Sequence, residues 1–339
     1  MAQINKPNEY FDTLTWTGDN STRNITDLNF QPDLVWLKHR SFAFDHREFD
    51  SVRGASKSLA TNTTGAEASP TDELTAFLSN GFTLGNSVTV NGTGYGSNNF
   101  VGWSWKGGGT ASSNTDGSIT SSVSANTTSG FSVVGWTGTG ATATVGHGLG
   151  TTPKLFIVKE RSEARNWKVV TTAIDGSWDS LYLNLTDTAG SSPQSADSSV
   201  FNFTSSNEFN ASGQTYISYC FANKAGFSRM GSYVGNGSAD GTFVYTGFKP
   251  AFLMYKQSSA SGESWIMQDN ARNLFNVTNK RLLANAGNVE ADEPIDFLSN
   301  GFKCRTSGAF QNASGSTYIY LAIAESPIVG SNSVPTTAR

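Results

Sequence analysis

The sequence predicts an all-β protein of three tandem antiparallel β-sandwich domains related by an internal repeat, with little helix. Three observations predict this class. Only 15% of the 339 residues are charged, against about 25% in typical domains, whereas 35 residues are glycine and 12% are aromatic. One pattern of residues occurs three times along the chain. Short runs of β-branched and aromatic residues, bounded by Gly, Asn and Pro, are typical of strands.

The first half of the repeat begins with an aromatic residue and a glycine-containing turn. A proline follows after 16 or 17 residues, and an apolar run that ends in lysine comes next. The aromatic and proline pairs are Trp16 with Pro32, Trp136 with Pro153 and Tyr233 with Pro250. The runs ending at Lys38, Lys159 and Lys256 are apolar at successive positions, so both faces of each strand should be buried. We therefore expect central strands of a two-layer core.

The second half of the repeat contains tight turns and further strands. Phe77–Phe82 recurs identically as Phe297–Phe302, and Asn210–Tyr219 resembles Asn312–Leu321. The Asn-Gly pair in the first two of these segments tolerates the positive φ of tight hairpin turns. The best helical candidate is Thr71–Leu78, which has acidic residues near its start.

The positions of the repeats predict three domains, over residues 1–106, 130–226 and 230–326. The segment 107–129 is nearly all Gly, Ser, Thr, Ala and Asn, a composition typical of a linker or a surface connector. The joint between the second and third domains is short, so we expect a fixed geometry there, whereas the first domain can sit apart. Residues 327–339 are predicted to be a frayed tail.

Charge and composition exclude several functional classes. With 23 basic and 27 acidic residues the formal net charge is -4, and no cluster of Lys and Arg offers a footprint for nucleic acid. No apolar run approaches the roughly 20 residues of a membrane helix, and we expect no secretory signal at the N-terminus. Cys220 and Cys304 are too few for a disulfide framework or a cysteine-based zinc site. We expect synthesis in a reducing cytoplasm.

No enzyme or cofactor motif stands out, so we predict a non-enzymatic protein without cofactor or metal. His39, Asp45 and His46 could supply three metal ligands, but a solvated polar loop after a strand is the favoured interpretation. Neither other repeat keeps these residues, so any metal site there would belong to the first repeat alone. The sequence has no Gly-x-Ser-x-Gly motif and no phosphate-binding loop. The alternative is a depolymerase, which would need two carboxylates about 5–10 Å apart in a groove.

Two acidic and basic pairs recur at corresponding places in the first and third repeats. Asp50 lies three residues before Arg53, and Asp269 lies three residues before Arg272. A carboxylate and a guanidinium at this spacing can hydrogen-bond across a turn. We interpret both pairs as structural turn clasps, and a sugar-binding site is the alternative.

Trp178 and Asp179 are the candidate ligand-binding residues. An aromatic ring can pack on the C–H face of a pyranose while neighbouring polar side chains bond its hydroxyls, and Trp178 lies in the polar segment Asp175–Ser180. The favoured interpretation of Trp178 is a cap on a core, and the sugar-binding platform is the alternative. The other tryptophans lie in or beside strand-like runs, and we assign them to cores.

Four segments are distinctive as a set: Ile4–Phe11, Phe30–Lys38, Asp50–Gly54 and Gly231–Gly241. Together they resemble a repeated domain of marine bacteriophage virion proteins, and the resemblance covers nearly the whole chain. One departure is Asn29, where relatives often have Gly, although Asn also tolerates positive φ. The resemblance implies a virion component, most often of tail or tail-fibre type in phages of cyanobacteria and other marine bacteria. It transfers no catalytic residue.

We therefore expect a tail fibre or tail-associated protein that attaches to a host cell-surface glycan. Repeated modules multiply weak contacts, since avidity strengthens millimolar single-site binding. By analogy with phage fibres we expect a homotrimer that contacts other virion proteins and is located in the virion after synthesis in the host cytoplasm. The alternative is a capsid decoration or tail-assembly protein whose partner is another virion protein. Exposed apolar strips on one face of the first repeat, and a segment 107–130 that threads onto a neighbour, would favour it.

Overall fold

The computed structural model describes residues 3–326, 328–329 and 335–336, and its paired strands run antiparallel. These residues contain no α-helix, and Pro7–Glu9 forms a single 3-10 turn. The prediction of an antiparallel, all-β protein is therefore confirmed. None of the described residues belongs to a helix that is long and apolar enough to cross a membrane. Of the predicted tail 327–339, the paired strands Ile328–Val329 and Pro335–Thr336 are described, and the rest lies outside the described residues.

The first repeat forms seven strands in two sheets. They are β1 (Phe11–Thr17), β2 (Arg23–Ile25), β3 (Leu34–His39), β4 (Arg47–Asp50), β5 (Leu74–Leu78), β6 (Gly81–Leu84) and β7 (Asn99–Trp105). The strand order is β1-β7-β3-β4 in one sheet and β2-β6-β5 in the other.

The predicted helix over Thr71–Leu78 is wrong, because residues 74–78 form strand β5. Strand β5 turns through Asn80 and Gly81 into β6 and pairs with it. A Cβ atom on Gly81 would lie 1.8 Å from the carbonyl oxygen of Ile25, so only glycine fits this close approach of β6 to the end of β2. Hairpin pairing through this turn therefore overrides the acidic helix-start signal.

The second repeat and the segment before it form eleven strands. They are β8 (Ser112–Asn114), β9 (Ser121–Asn126), β10 (Phe131–Thr137), β11 (Ala143–Gly146), β12 (Leu155–Glu160), β13 (Lys168–Thr171), β14 (Asp179–Tyr182), β15 (Gly190–Ser191), β16 (Ser195–Ala196), β17 (Val200–Phe203) and β18 (Thr215–Phe221). One sheet has the order β15-β14-β13-β12-β18-β10-β9-β8, and the other has the order β11-β17-β16.

The prediction of a linker over residues 107–129 needs correction, since this segment contributes β8 and β9 to the large sheet of the second repeat. Strand pairing uses backbone groups, which a composition rich in Gly, Ser and Thr supplies as well as any other. Ile119 and Val123 anchor the segment, because both are buried in the apolar cluster of the second repeat.

The third repeat forms one sheet of eight strands. They are β19 (Ser228–Val234), β20 (Phe243–Tyr245), β21 (Pro250–Gln257), β22 (Ile266–Asp269), β23 (Thr278–Leu283), β24 (Ala291–Leu298), β25 (Gly301–Cys304) and β26 (Thr317–Ala324). Their order is β19-β26-β21-β22-β23-β24-β25-β20.

Four buried apolar clusters form the interior, and the largest joins all three repeats. Three clusters draw residues from one repeat each. The largest contains Trp105 of the first repeat, Phe221 of the second and Phe252 of the third. The Trp105 ring centroid lies 6.2 Å from that of Phe221 and 5.7 Å from that of Phe252. The expectation that the first repeat can sit apart is therefore wrong.

The strands β3, β12 and β21 divide their side chains between the shared cluster and a local one. Along β3, Leu34 and Trp36 belong to the shared cluster, whereas Val35 and Leu37 belong to the cluster of the first repeat. Strands β12 and β21 follow the same division. Since successive side chains of a strand point to opposite faces, a run that is apolar at every position has an apolar partner on each face.

Candidate functional site

Strand register defines equivalent positions in the three repeats. Three residues end the strand beside the central one: Asp50 opposite Leu34, Thr171 opposite Leu155, and Asp269 opposite Phe252. Three more lie on the other side of the central strand: Trp103 opposite Trp36, Tyr219 opposite Ile157, and Leu321 opposite Met254. These positions meet at the joints between the repeats.

At the joint between the first and second repeats, the Asp50–Arg53 pair is closed by Tyr219. The Arg53 backbone N–H donates to Asp50 Oδ1 at 2.8 Å, and Arg53 Nε donates to Asp50 Oδ2 at 2.5 Å. The Tyr219 hydroxyl donates to Asp50 Oδ2 at 2.9 Å and accepts from Arg53 Nη2 at 3.2 Å. Both side chains of the pair are fully buried. Burial alone would lower the pKa of Arg53, but Asp50 and Tyr219 raise it.

The joint between the third and first repeats has the same construction. The Arg272 backbone N–H donates to Asp269 Oδ1 at 2.9 Å, and Arg272 Nε donates to Asp269 Oδ2 at 2.7 Å. Trp103 takes the place of the tyrosine, since its Nε1 donates to Asp269 Oδ2 at 2.9 Å. The structure thus brings each predicted turn clasp together and adds a partner from a neighbouring repeat.

Each clasp arginine also contacts a glutamate that an arginine of the neighbouring repeat binds through two hydrogen bonds. Arg161 donates to Glu67 at 2.8 and 3.0 Å, and Arg40 donates to Glu290 at 2.8 and 3.1 Å. This two-point geometry is the strongest form of arginine–carboxylate contact. Burial alone would raise the pKa values of Glu67 and Glu290. The neighbouring arginines nevertheless hold both pKa values below the usual range.

The joint between the second and third repeats lacks this polar network. Here Thr171 and Ile174 take the places of the clasp residues, and Leu321 takes the place of the clasp's partner. Ala189 and Ser258 take the places of the glutamate and of the arginine that binds it. The backbone contact is kept, because the Ala189 N–H donates to the Ser258 carbonyl oxygen at 2.9 Å, as Glu67 does to Arg161 at 2.7 Å. Where the clasp is missing, its polar partner is missing too.

A second set of contacts closes the three repeats into a ring. Each repeat donates one side-chain N–H to a backbone carbonyl oxygen of its neighbour: Trp167 to Ala60 at 3.0 Å, Trp265 to Tyr182 at 2.8 Å, and His46 to Leu283 at 2.9 Å. His46 Nδ1 accepts from Trp36 Nε1 at 2.8 Å, so its Nε2 carries the hydrogen that it donates. The second repeat contacts the first, the third contacts the second, and the first contacts the third.

Three equivalent lysines are buried beside this ring, a feature that the sequence analysis missed. Lys38, Lys159 and Lys256 are fully buried and donate to backbone carbonyl oxygens. Lys159 reaches Thr64 of the first repeat at 3.3 Å, and Lys256 reaches Thr186 of the second at 3.1 Å. Burial lowers the pKa of Lys38 to about 7 and that of the other two to about 8. The sequence signal for these buried lysines is their position, since each ends an apolar run whose two faces are both buried.

The three candidate metal ligands do not converge. His46 uses both ring nitrogens in the contacts above, and burial lowers its pKa to about 3. His39 is also buried, rather than in a solvated loop, and its Nδ1 accepts from the backbone N–H groups of Ser41 and Phe42 at 3.2 and 3.0 Å. Asp45 accepts from Asn62 Nδ2 at 2.7 Å. The described part of the chain contains no group of three or more His, Cys, Asp and Glu residues that could hold a metal ion.

Trp178 and Asp179 lie side by side at the edge of the second repeat's cluster. The Trp178 ring is half-buried and packs against Phe156, with ring centroids 5.8 Å apart. Asp179 begins β14, and its Oδ2 is buried without a hydrogen-bond partner among the described residues. Burial raises the pKa of Asp179, and the nearby Asp175 raises it further. The pair combines a half-exposed ring with an unsatisfied acceptor.

The family model described as a domain of unknown function, DUF7483, matches residues 6–327. The chain belongs to this family. The DUF7483 match spans all three repeats and the segment 107–129 as one unit, in keeping with the shared apolar cluster. No curated protein and no solved structure matches the chain.

Proposed function

We propose that this DUF7483 protein is a non-enzymatic structural component of a bacteriophage virion, a tail fibre or tail-associated protein that attaches to the host surface. In this proposal its three repeats are β-sandwiches fused into one ring. The closed cycle of contacts through Trp167, Trp265 and His46 carries the proposal, because it holds three equivalent units at fixed positions. A rigid body with repeated faces suits attachment through several weak contacts.

The proposed ligand is a host cell-surface glycan, which Trp178 and Asp179 contact. The half-exposed Trp178 ring offers a face for a pyranose, and the partly exposed Asp179 side chain beside it bonds a sugar hydroxyl. The rigid setting supports this role, since Trp178 is fixed by Phe156 and by the backbone bond from Ser192 to its carbonyl oxygen at 2.9 Å. The protein is made in the host cytoplasm and reaches the virion by assembly, as a homotrimer by analogy.

A second candidate function is capsid decoration or tail assembly, in which the partner is another virion protein. Exposed apolar side chains of the third repeat favour it, notably Phe243, Tyr245, Leu274 and Phe275. Apolar side chains grouped on one part of a surface mark contact sites between proteins.

A competition assay tests attachment. The purified chain is added to host cells before the phage that encodes it, and free phage is counted over time. We expect adsorption to slow as the protein concentration rises, and the double variant Trp178→Ser/Asp179→Asn to compete at least fivefold less well. Val234→Thr, an exposed position on another repeat, is the matched control and should compete like the parent. Immunogold labelling of intact virions must also place the protein on the tail; labelling of the head alone would favour the second candidate.

A further inference from the structure

Strand β20 of the third repeat is an edge strand with two exposed aromatic side chains. It ends the order of the eight-stranded sheet, and among the described strands it pairs only with β25. Phe243 is 44% exposed and Tyr245 is 58% exposed, on the same face of the strand. An apolar edge of this kind is a template for pairing with another chain unless it is covered.

The backbone groups of Phe243 and Tyr245 point away from the sheet. Val244 lies opposite Phe302. The residues two positions before and after Val244 also bond to β25 or to the turn that precedes it. The Cys304 N–H donates to the Thr242 carbonyl oxygen, and the Thr246 N–H donates to the Asn300 carbonyl oxygen, both at 3.0 Å. In an antiparallel pair, such bonds recur at every second residue. The N–H and C=O groups of Phe243 and Tyr245 are therefore directed to the open edge.

The equivalent edge of the second repeat is covered by the protein itself. There Val145 of β11 faces Phe201, as Val244 faces Phe302. The segment 117–119 lies along this edge, with the Ile119 N–H donating to the Thr144 carbonyl oxygen at 3.0 Å and the Ser118 N–H to Thr144 Oγ1 at 2.8 Å. Ile119 forms a parallel bridge with Val145 and is buried. Thr144 is the register equivalent of Phe243.

The equivalent edge of the first repeat is polar and partly satisfied. Asn24 and Thr26 stand where the third repeat has Phe243 and Tyr245, because Ile25 faces Phe82 in the same register. The Thr26 carbonyl oxygen accepts from Asn80 Nδ2 at 2.9 Å. The fold therefore does not require aromatic residues at these positions. Within the part of the chain that the structure describes, only the third repeat combines an open edge with apolar side chains.

We propose that β20 binds an extended polypeptide segment of another protein, which adds as a strand beside Phe243 and Tyr245 as residues 117–119 add to β11. The outward backbone groups supply the hydrogen bonds, and the two rings cover apolar side chains of the incoming strand. The segment is uncharged, because the charged groups near this edge already pair with each other, Lys303 with Asp240 and Arg305 with Asp296. A second copy does not supply residues 117–119, since they are already paired in each chain.

A peptide-binding experiment on the full chain tests this docking edge. The probe is a fluorescent peptide with the sequence of residues 113–121, which includes the segment that covers β11, and it carries Asp116→Asn so that it is uncharged. We expect saturable binding at millimolar peptide, and amide hydrogen exchange at Phe243 and Tyr245 at least fivefold slower when the peptide is bound. Absence of both effects would overturn the proposal. The readout is independent of virion location and host adsorption, so its failure is distinguishable from failure of the proposed function.

A matched pair of variants separates strand addition from sugar stacking. Phe243→Thr and Phe243→Pro both lose the ring, but only the proline also loses the outward N–H, which β25 does not use. Strand addition predicts that Phe243→Pro weakens binding at least fivefold more than Phe243→Thr. If both variants lose peptide binding equally, and the parent binds host polysaccharide instead, the proposal is overturned. If Phe243→Pro has a lowered unfolding midpoint, Tyr245→Pro and Tyr245→Thr give the same comparison. Self-association abolished by Phe243→Pro would identify a second copy as the occupant and also overturn it.

Discussion

Trp103 Nε1 lies 2.9 Å from Asp269 Oδ2, so a tryptophan of the first repeat binds the buried carboxylate of the third. Tyr219 does the same for Asp50 across the next joint, again at 2.9 Å. At the remaining joint the carboxylate is replaced by Thr171 and the donor by Leu321. Donor and acceptor are thus present together or absent together, as expected for buried polar groups that are costly when unpaired.

Loss of the Trp103 donor should destabilise the protein more than loss of the neighbouring indole. Trp103→Phe removes a hydrogen bond to a buried charged group and should lower the free energy of unfolding by about 1–3 kcal/mol beyond the loss of ring area. Trp105→Phe is the matched control, because Trp105 is equally buried and its Nε1 has no partner among the described residues. Urea unfolding measures both variants. Equal losses would show that the Trp103–Asp269 bond contributes nothing.

The clasp of the third repeat should behave as a coupled pair. Arg272→Ile alone leaves Asp269 buried without its counter-ion, which should cost about 3–5 kcal/mol of unfolding free energy. Asp269→Thr alone leaves Arg272 with Glu290 as its one acidic partner among the described residues. The double variant copies the residues of the second repeat, so its loss should fall below the sum of the single losses by about 1–3 kcal/mol. Additive losses in the double-mutant cycle would contradict the coupling.

Glu48 should make the protein less stable as the pH rises from 4.5 to 8. It lines a cavity of about 10 Å³ within the shared cluster, and its Oε2 has no hydrogen-bond partner among the described residues. Burial raises the pKa of Glu48 to about 8, well above its usual value of 4.5. Between these values the folded chain holds a proton that the unfolded chain releases, so unfolding free energy falls as pH rises from 4.5 to 8.

Glu48→Gln removes the titrating carboxyl group, so the variant should not lose stability through this group as the pH rises. The unfolding free energy of the variant minus that of the parent should therefore grow with pH between 4.5 and 8. The slope should approach about 1.4 kcal/mol per pH unit. Urea midpoints measured at pH 5, 6.5 and 8 give the difference directly and cancel the opposing effect of the buried lysines. A difference that does not change with pH would mean that Glu48 is already ionised in the folded protein.

Much of the local structure follows from the sequence. The apolar runs before Lys38, Lys159 and Lys256 are central strands, and the turn at Asn300-Gly301 joins β24 to β25. These features depend on residues close together in the chain. The turn clasps were also visible, because the two residues of each clasp are only three positions apart.

The joints could not be predicted in the same way. Tyr219 and Asp50 are 169 residues apart, and nothing in the local pattern of either residue indicates the other. The strands in segment 107–129 were missed because composition does not report backbone hydrogen bonds. The shared cluster had one signal, the runs that are apolar on both faces, but a local two-layer core explained those runs equally well.

Calorimetry of the full chain tests most directly the claim that three repeats share one core. Because Trp105, Phe221 and Phe252 of different repeats pack together, and hydrogen bonds close the ring, no repeat should unfold without exposing the others. We predict a single transition in which the calorimetric and van't Hoff enthalpies agree. Two or three resolved transitions, or a fragment of residues 230–326 that unfolds at the same temperature as the full chain, would contradict it.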